Sequence, residues 1–179
     1  IEENKKVQRP KIVLSWAPHP KALPHAVANS FVEMMKLQDA DFVITNPEGY
    51  DLNPKITNGC EIVHDQKKAL ENANFVYVKN WSSYSDYGKV LHVDTNWKMT
   101  KEKLKKANFM HCLPVRRNMV MEDAVLDSNQ SLVIQQANNG NPVGNNINRA
   151  YNQSQTGQNN LFISVGDAFV LGHIFDKLK

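Results

Sequence analysis

Short apolar runs alternate with helical patterns along the first 138 residues of the chain. Continuous apolar, β-branched and aromatic content predicts six strands, at residues 11–16, 41–45, 61–65, 74–81, 109–112 and 131–136. Because these runs are continuous rather than alternating with polar residues, both faces of each strand are expected to be buried. This pattern is typical of a parallel sheet covered on both sides.

The segments between the strands carry the period of helices. Helices are predicted over 25–37, near 51–58, and over 66–73 and 100–107, with Thr100 as the N-cap of the last. Strands interleaved with helices predict an α/β fold, a doubly wound, Rossmann-like parallel sheet with helices on both faces. We assign this domain to residues 1–137.

The pattern changes after this domain. Residues 138–160 are rich in Asn, Gln and Gly and carry few apolar side chains, which predicts an exposed loop or linker. Residues 161–179 are assigned to a C-terminal helix, whose period resumes at Asp167. Its apolar set is too large to leave in water, so we expect it to dock on its own sheet or on a second copy.

Composition and charge exclude several classes of protein. The chain has 179 residues, 41% hydrophobic and 22% charged, with a net charge of +3 that is too small and scattered to indicate a nucleic-acid partner. It has no 18-residue apolar run and no apolar signal core at its start, which predicts neither a membrane span nor export. Cys60 and Cys112 lie far apart in the sequence, and two thiols make no disulfide scaffold, so we expect reduced cysteines in a cytoplasmic protein.

Three predicted strands end in polar clusters, at residues 15–21, 79–84 and 111–118. Each cluster alone is more often solvated or simply packed. Ligands of open parallel sheets bind outside the carboxyl ends of the strands, so three clusters at one edge predict a site there. Lys21, Lys79 and Arg116 would supply positive charge for a carboxylate or phosphate.

The sequence gives little support for a phosphate-binding loop, a metal site or a catalytic Cys–His pair. Neither common glycine-rich phosphate loop occurs, and the His and Cys spacings do not match a metal site, so no metal or cofactor is predicted. His111 and Cys112 are neighbours on a strand and point to opposite faces, which disfavours a catalytic Cys–His pair. Pro114 stiffens the loop that follows them.

Residues 111–118, His-Cys-Leu-Pro-Val-Arg-Arg-Asn, resemble the signature of ornithine-type carbamoyltransferases, above all the branch that acts on N-acetylornithine and N-succinylornithine. Residues 14–31 resemble the Trp-x-x-His-Pro loop of that branch, and 77–81 its Tyr-Ala-Lys-x-Trp strand end. Further matching stretches are 46–55 and 127–134. The resemblance covers roughly residues 8 to 139.

The resemblance implies transfer of the carbamoyl group of carbamoyl phosphate to the side-chain amine of an acylated ornithine, in arginine biosynthesis. Cys112 and Leu113 would line the reacting centre, and Lys79 and Arg116 would bind the acceptor's carboxylates. The full set of implied acceptor-binding residues is Lys21, Lys79, His111, Pro114 and Arg116. Pro24 and Val120 favour the succinyl type, and the acetyl type stays open.

The sequence also departs from the family pattern. The Ser-x-x-Arg-Thr loop of the carbamoyl-phosphate half is not in this sequence, so the chain resembles the acceptor-side half, whose partner would be the other half within a homotrimer. Gln136 replaces an expected acid, and Gly140 stands where the family has a phosphate-binding arginine. Arg149 is the candidate for that arginine, displaced behind an insertion.

Two other readings stay open. One is a non-catalytic binding module that keeps the fold and the polar edge. The other is an unrelated α/β nucleotide-binding protein, which the missing glycine-rich loop disfavours.

Overall fold

Five parallel strands form one sheet in the computed structural model, which describes residues 1, 4–91 and 94–138. The strands are β1 (Lys11–Trp16), β2 (Asp41–Thr45), β3 (Glu61–Val63), β4 (Phe75–Lys79) and β5 (Asn108–Met110). They lie in the order β3-β2-β1-β4-β5, and every pairing is parallel. The predicted doubly wound α/β fold is confirmed.

Helices connect and flank the strands. They are α1 (Ala26–Met35), α2 (Pro54–Thr57), α3 (Gln66–Ala69), α4 (Lys101–Leu104), α5 (Asp123–Leu126) and α6 (Val133–Asn138), with a 3-10 turn at Thr95–Trp97. Side-chain caps fix several starts, because the first N–H groups of a helix lack backbone partners. The Asp65 side chain accepts from the N–H of Lys68, and that of Thr100 accepts from the N–H of Lys103. The predicted cap at Thr100 is therefore confirmed.

Both faces of the sheet are buried. On the α1 face, Phe31 of α1 stacks on Tyr77 of β4 with ring centroids 4.4 Å apart. On the opposite face, Leu104 of α4 and Val125 of α5 pack in the same core as Val76 of β4. Each fully buried side chain of this kind contributes about 1.5–3 kcal/mol, so burial on two sides explains the continuous apolar strands.

The sixth predicted strand is wrong. Within 131–136 only Ser131 forms a β-bridge, to Phe109, and helix α6 begins at Val133. The N–H of Leu132 still donates to the carbonyl of Phe109 at 2.8 Å, so the segment touches β5 before it coils. A short apolar run fits a strand or a buried helical turn equally well, and here the tertiary contacts select the helix.

Most other elements are shorter than predicted. The strands predicted to end at residues 65, 81 and 112 end at Val63, Lys79 and Met110, because their last polar residues turn away to form loops. The helices predicted at 25–37, 51–58, 66–73 and 100–107 are shorter too. Helix α5 was not predicted. Residues 139–160 of the predicted linker and the 161–179 helix lie outside the described residues.

The strand order creates one switch point. From the central β1, the chain runs outward through β2 and β3, then returns to place β4 and β5 on the other side. The loops that leave β1 and β4 therefore diverge, and the crevice between them is where sheets of this kind bind ligands.

Candidate active site

The loops after β1 and β4 are fastened together at the switch point. The N–H of Ala17 donates to the carbonyl of Lys79 at 3.1 Å, and Nδ2 of Asn80 donates to the carbonyl of Ala17 at 2.7 Å. The indole N–H of Trp16 donates to the carbonyl of Trp81 at 2.8 Å. These buried bonds fix the backbone from which the Lys79 side chain leaves the sheet.

Positive charge from all three predicted clusters surrounds His19. Burial is the main cause of its lowered pKa, and the charges of Arg116, Lys79 and Lys21 lower that pKa further. Such an effect requires the three cations to lie near the imidazole. Charges from all three clusters therefore act on one side chain.

Two of these cations carry no ion pair within the described part of the chain. Lys79 and Arg116 are both half-buried, and neither forms a salt bridge there. Half-buried cations without a carboxylate partner are costly unless water or a ligand meets them. The arrangement suits an anionic ligand.

His111 lies beneath this charged layer. It is 4% exposed, and burial, then the charge of Lys79, lowers its pKa to about 3, so the ring is neutral at physiological pH. Its Nδ1 has no hydrogen-bond partner, and neither does Oδ1 of Asn80, which is also buried. Buried polar atoms without partners are uncommon in folded proteins, and here both lie just past the carboxyl ends of the neighbouring strands β4 and β5.

Cys112, Leu113 and Pro114 form the start of the third loop. Cys112 is half-buried and packs with the α1-face core, whereas Leu113 is buried in the opposite core. The Leu113–Pro114 peptide bond is cis, and Pro114 is exposed. The thiol of Cys112 lies beside the hydroxyl of Tyr77, whose pKa is raised by burial and by that thiol.

Sequence reasoning missed two residues that support the site. Nε2 of His25 lies 2.7 Å from the carbonyl of Ser82 and joins the start of α1 to the loop after β4. Oε1 of Gln136 accepts from the N–H of His111 at 3.1 Å. A buried histidine beside prolines and a glutamine in an apolar run give no local signal, since both contacts span more than 20 residues.

A groove of about 610 Å³ lies at the amino-terminal edge of the sheet, away from this charge. It is lined in part by Arg9, Lys36 and Cys60. Its cations are already engaged, Arg9 with Asp39 and Asp41 and Lys36 with a backbone carbonyl. We therefore place the candidate site at the charged loops that follow β1, β4 and β5, and not in this groove.

Metal-binding clusters and membrane-spanning helices are both absent from the part of the chain that the structure describes. There, no three His, Cys, Asp or Glu side chains are placed to hold a metal ion. In the same residues, no helix is long and apolar enough to cross a membrane.

Comparison with known proteins shows the family of the chain. Residues 24–147 match the family described as aspartate/ornithine carbamoyltransferase, Asp/Orn binding domain. The chain belongs to this carbamoyltransferase family. Lys79, Cys112 and Arg116 lie within the matched residues, and the family is one of enzymes.

Individual relatives share the sequence and the fold. An N-succinylornithine carbamoyltransferase of Bacteroides fragilis is 51% identical over 144 residues, which cover 78% of this chain and 45% of the relative. An N-acetylornithine carbamoyltransferase of Xanthomonas campestris pv. campestris is 30% identical over 157 residues, covering 72% and 44%. The chain therefore spans less than half the length of these two curated relatives.

Solved structures of transcarbamylases also match this chain. The crystal structure of an N-acetyl-L-ornithine transcarbamylase matches with a TM-score of 0.67 and 27% identity, over 80% of this chain and 49% of that one. A mutant of an enzyme of that name, complexed with carbamyl phosphate and N-succinyl-L-norvaline, matches equally well, with a TM-score of 0.67 and 27% identity over 80% and 48%.

Proposed function

We propose that this chain is the acceptor-binding half of a carbamoyltransferase that acts on N-succinyl- or N-acetyl-L-ornithine. The observation that carries the proposal is the pair of half-buried cations that form no salt bridge within the described residues, Lys79 at the end of β4 and Arg116 in the loop after the neighbouring β5. An acylated ornithine carries an α-carboxylate, and the succinyl form carries a second one. Charge-assisted bonds to two cations would hold either acceptor by its anionic end.

The same charges favour the reactive form of the acceptor. A carbamoyl group is transferred only when the side-chain amine is unprotonated, because its lone pair must attack the carbonyl carbon. Nearby cations such as Lys79 and Lys21 disfavour an ammonium ion, and neutral His111 adds no negative charge to stabilise one. The pocket would therefore bind the carboxylates while helping the amine lose its proton.

Cys112 and Leu113 would line the place where the two substrates meet. The amine nitrogen forms a bond to the carbamoyl carbon, the bond from that carbon to the phosphate oxygen breaks with its electron pair, and the amine releases a proton. Positioning the two reactants accounts for much of such a rate gain. The burial of Leu113 gives this segment a defined path.

Groups for the phosphate would come from a second, carbamoyl-phosphate-binding half. Arg149 is a candidate to supplement them, and it lies outside the described residues. We propose the complete protein to be a homotrimeric cytoplasmic enzyme of arginine biosynthesis. The identity of 51% to an N-succinylornithine enzyme, against 30% to an N-acetylornithine enzyme, supports the succinyl acceptor.

Calorimetric titration of the 179-residue chain tests the acceptor half of the proposal. N-succinyl-L-ornithine should bind more tightly than N-acetyl-L-ornithine, and both more tightly than free ornithine, whose extra ammonium the cations repel. Carbamoyl phosphate mixed with the acceptor should give no citrulline derivative until the second half is supplied. Failure to bind any acylated ornithine, or turnover by this chain alone, would contradict the proposal.

A further inference from the structure

The two adjacent arginines of the third loop have different surroundings. Arg116 forms no ion pair within the described residues, whereas the side chain of Arg117 is only 14% exposed and contacts two carboxylates of the α5 region. Its terminal nitrogens lie 2.5 Å from Oδ1 of Asp123 and 2.5 Å from Oδ1 of Asp127. A further bond of 2.9 Å reaches the other oxygen of Asp127, so the guanidinium grips that carboxylate with two nitrogens.

The backbone around these arginines is held as well. The N–H of Val120 donates to the carbonyl of Arg116 at 3.1 Å, and the N–H of Asn118 donates to the carbonyl of Met121 at 2.7 Å. Asn118 has a φ of +59°, a conformation that Asn tolerates better than most residues, and its Nδ2 donates to Asp123 at 2.8 Å. The loop is thus closed on itself and tied to α5.

The ion pairs also decide which arginine is left for a ligand. Asp123 and Asp127 both pair with Arg117, and the Arg117 guanidinium is the main cause that lowers the pKa of Asp123. With Arg117 absent, these two carboxylates would lose its guanidinium and would attract the neighbouring Arg116. The guanidinium of Arg116 would then be drawn away from His19, whose lowered pKa records its presence at the site.

We propose that Arg117 is a positioning residue, which holds the third loop against α5 and occupies Asp123 and Asp127 so that Arg116 stays directed at the acceptor. The assignment rests on the proposed function, because it takes Arg116 to bind an acceptor carboxylate. Bidentate geometry is central to it, since a lysine offers one ammonium where arginine spans two carboxylates.

The test is the affinity of the 179-residue chain for N-succinyl-L-ornithine, measured by calorimetry. We expect Arg117→Gln to weaken binding about 5- to 20-fold, mostly less than the loss of a charge-assisted contact itself, because Arg116 is retained. Arg117→Lys should weaken it less. Adding Asp123→Asn and Asp127→Asn to Arg117→Gln should restore part of the affinity, because the competing carboxylates are then gone.

Arg9 provides a matched control. It also contacts two carboxylates, Asp39 at 2.9 Å and Asp41 at 2.6 Å, but its side chain is 58% exposed and lies at the amino-terminal edge of the sheet. Arg9→Gln should leave the affinity unchanged. Should Arg117→Gln fail to fold, Asp127→Asn is the milder variant, and it should weaken binding at least twofold while the binding stoichiometry reports the folded fraction.

The outcomes separate the two proposals. If the wild-type chain binds and Arg117→Gln binds equally well, the assignment of Arg117 is overturned and the proposed function stands. An equal loss in Arg9→Gln would also overturn it, because the effect would then follow stability alone. If the wild-type chain binds no acylated ornithine, the proposed function fails, and the positioning role fails with it.

Discussion

The backbone N–H of His111 donates a hydrogen bond to Oε1 of Gln136 across 3.1 Å. This contact joins the end of β5 to helix α6, and the other side-chain contact of Gln136 is with the buried hydroxyl of Tyr77. One amide thus links β4, the end of β5 and helix α6 next to the loop that begins at His111.

Gln136→Leu should therefore destabilise the fold by about 1–3 kcal/mol, because the N–H of His111 would be buried without an acceptor. Urea unfolding followed by circular dichroism measures the change. Gln135→Leu is the control, since Gln135 is exposed in the same helix. If the two variants lost equal stability, the Gln136 contact would be energetically unimportant.

Replacing Lys79 or Arg116 by Met should weaken binding of the acylated ornithine by roughly 1.5–3 kcal/mol each, the range for charge-assisted hydrogen bonds. In the complete enzyme, the affinity for carbamoyl phosphate should barely change. Calorimetry on this chain and steady-state kinetics on the complete enzyme provide the two measurements.

Lys6→Met is the matched control for charge, because Lys6 is exposed and precedes β1 at the opposite edge of the sheet. Its acceptor affinity should equal that of the wild type. Equal losses for both substrates in the Lys79 and Arg116 variants would show that these residues act on something other than the acceptor.

The buried His111 makes stability depend on pH. Its pKa is about 3 in the folded chain against 6.5 for an ordinary histidine, so between these values the unfolded state binds a proton that the folded state does not. Stability therefore falls as the pH drops below about 6.5. Between pH 7 and pH 4.5 this one residue should contribute a loss of roughly 2–3 kcal/mol.

His111→Gln isolates this contribution, because His19, whose pKa is also lowered, titrates in both proteins. Chemical unfolding at the two pH values should give a smaller acid-induced loss for the variant. An identical loss would mean that His111 is protonated in the folded chain.

The ammonium of Lys103 holds a polar cluster on the face opposite α1. It donates to Oε1 of the buried Gln66 at 2.7 Å, to the carbonyl of Lys98 at 3.0 Å and to the carbonyl of Asn96. Lys103→Met should cost about 1–3 kcal/mol, since the Gln66 oxygen is left without a donor. Thermal unfolding compares it with Lys106→Met, an exposed neighbour expected to change stability by less than about 0.5 kcal/mol.

The sequence predicted the fold class well because burial on both faces leaves a direct trace in composition. Runs such as 11–16 and 41–45 are continuous and β-branched, and the structure has strands at those same bounds. The prediction at 131–136 failed because Leu-Val-Ile fits a strand or a helical turn. Asp123–Leu126 was missed because four residues carry too little periodicity to be read.

The candidate site, too, could be predicted from the sequence only in part. The sequence determined which residue types follow each strand, and parallel strands must bring their carboxyl ends to one edge, so the nearness of Lys79 and Arg116 could be expected in advance. Only the tertiary structure decided that Arg117 pairs with Asp123 and Asp127 while Arg116 does not. Adjacent arginines look alike in a sequence, and the difference arises from the distance to carboxylates that the fold brings alongside.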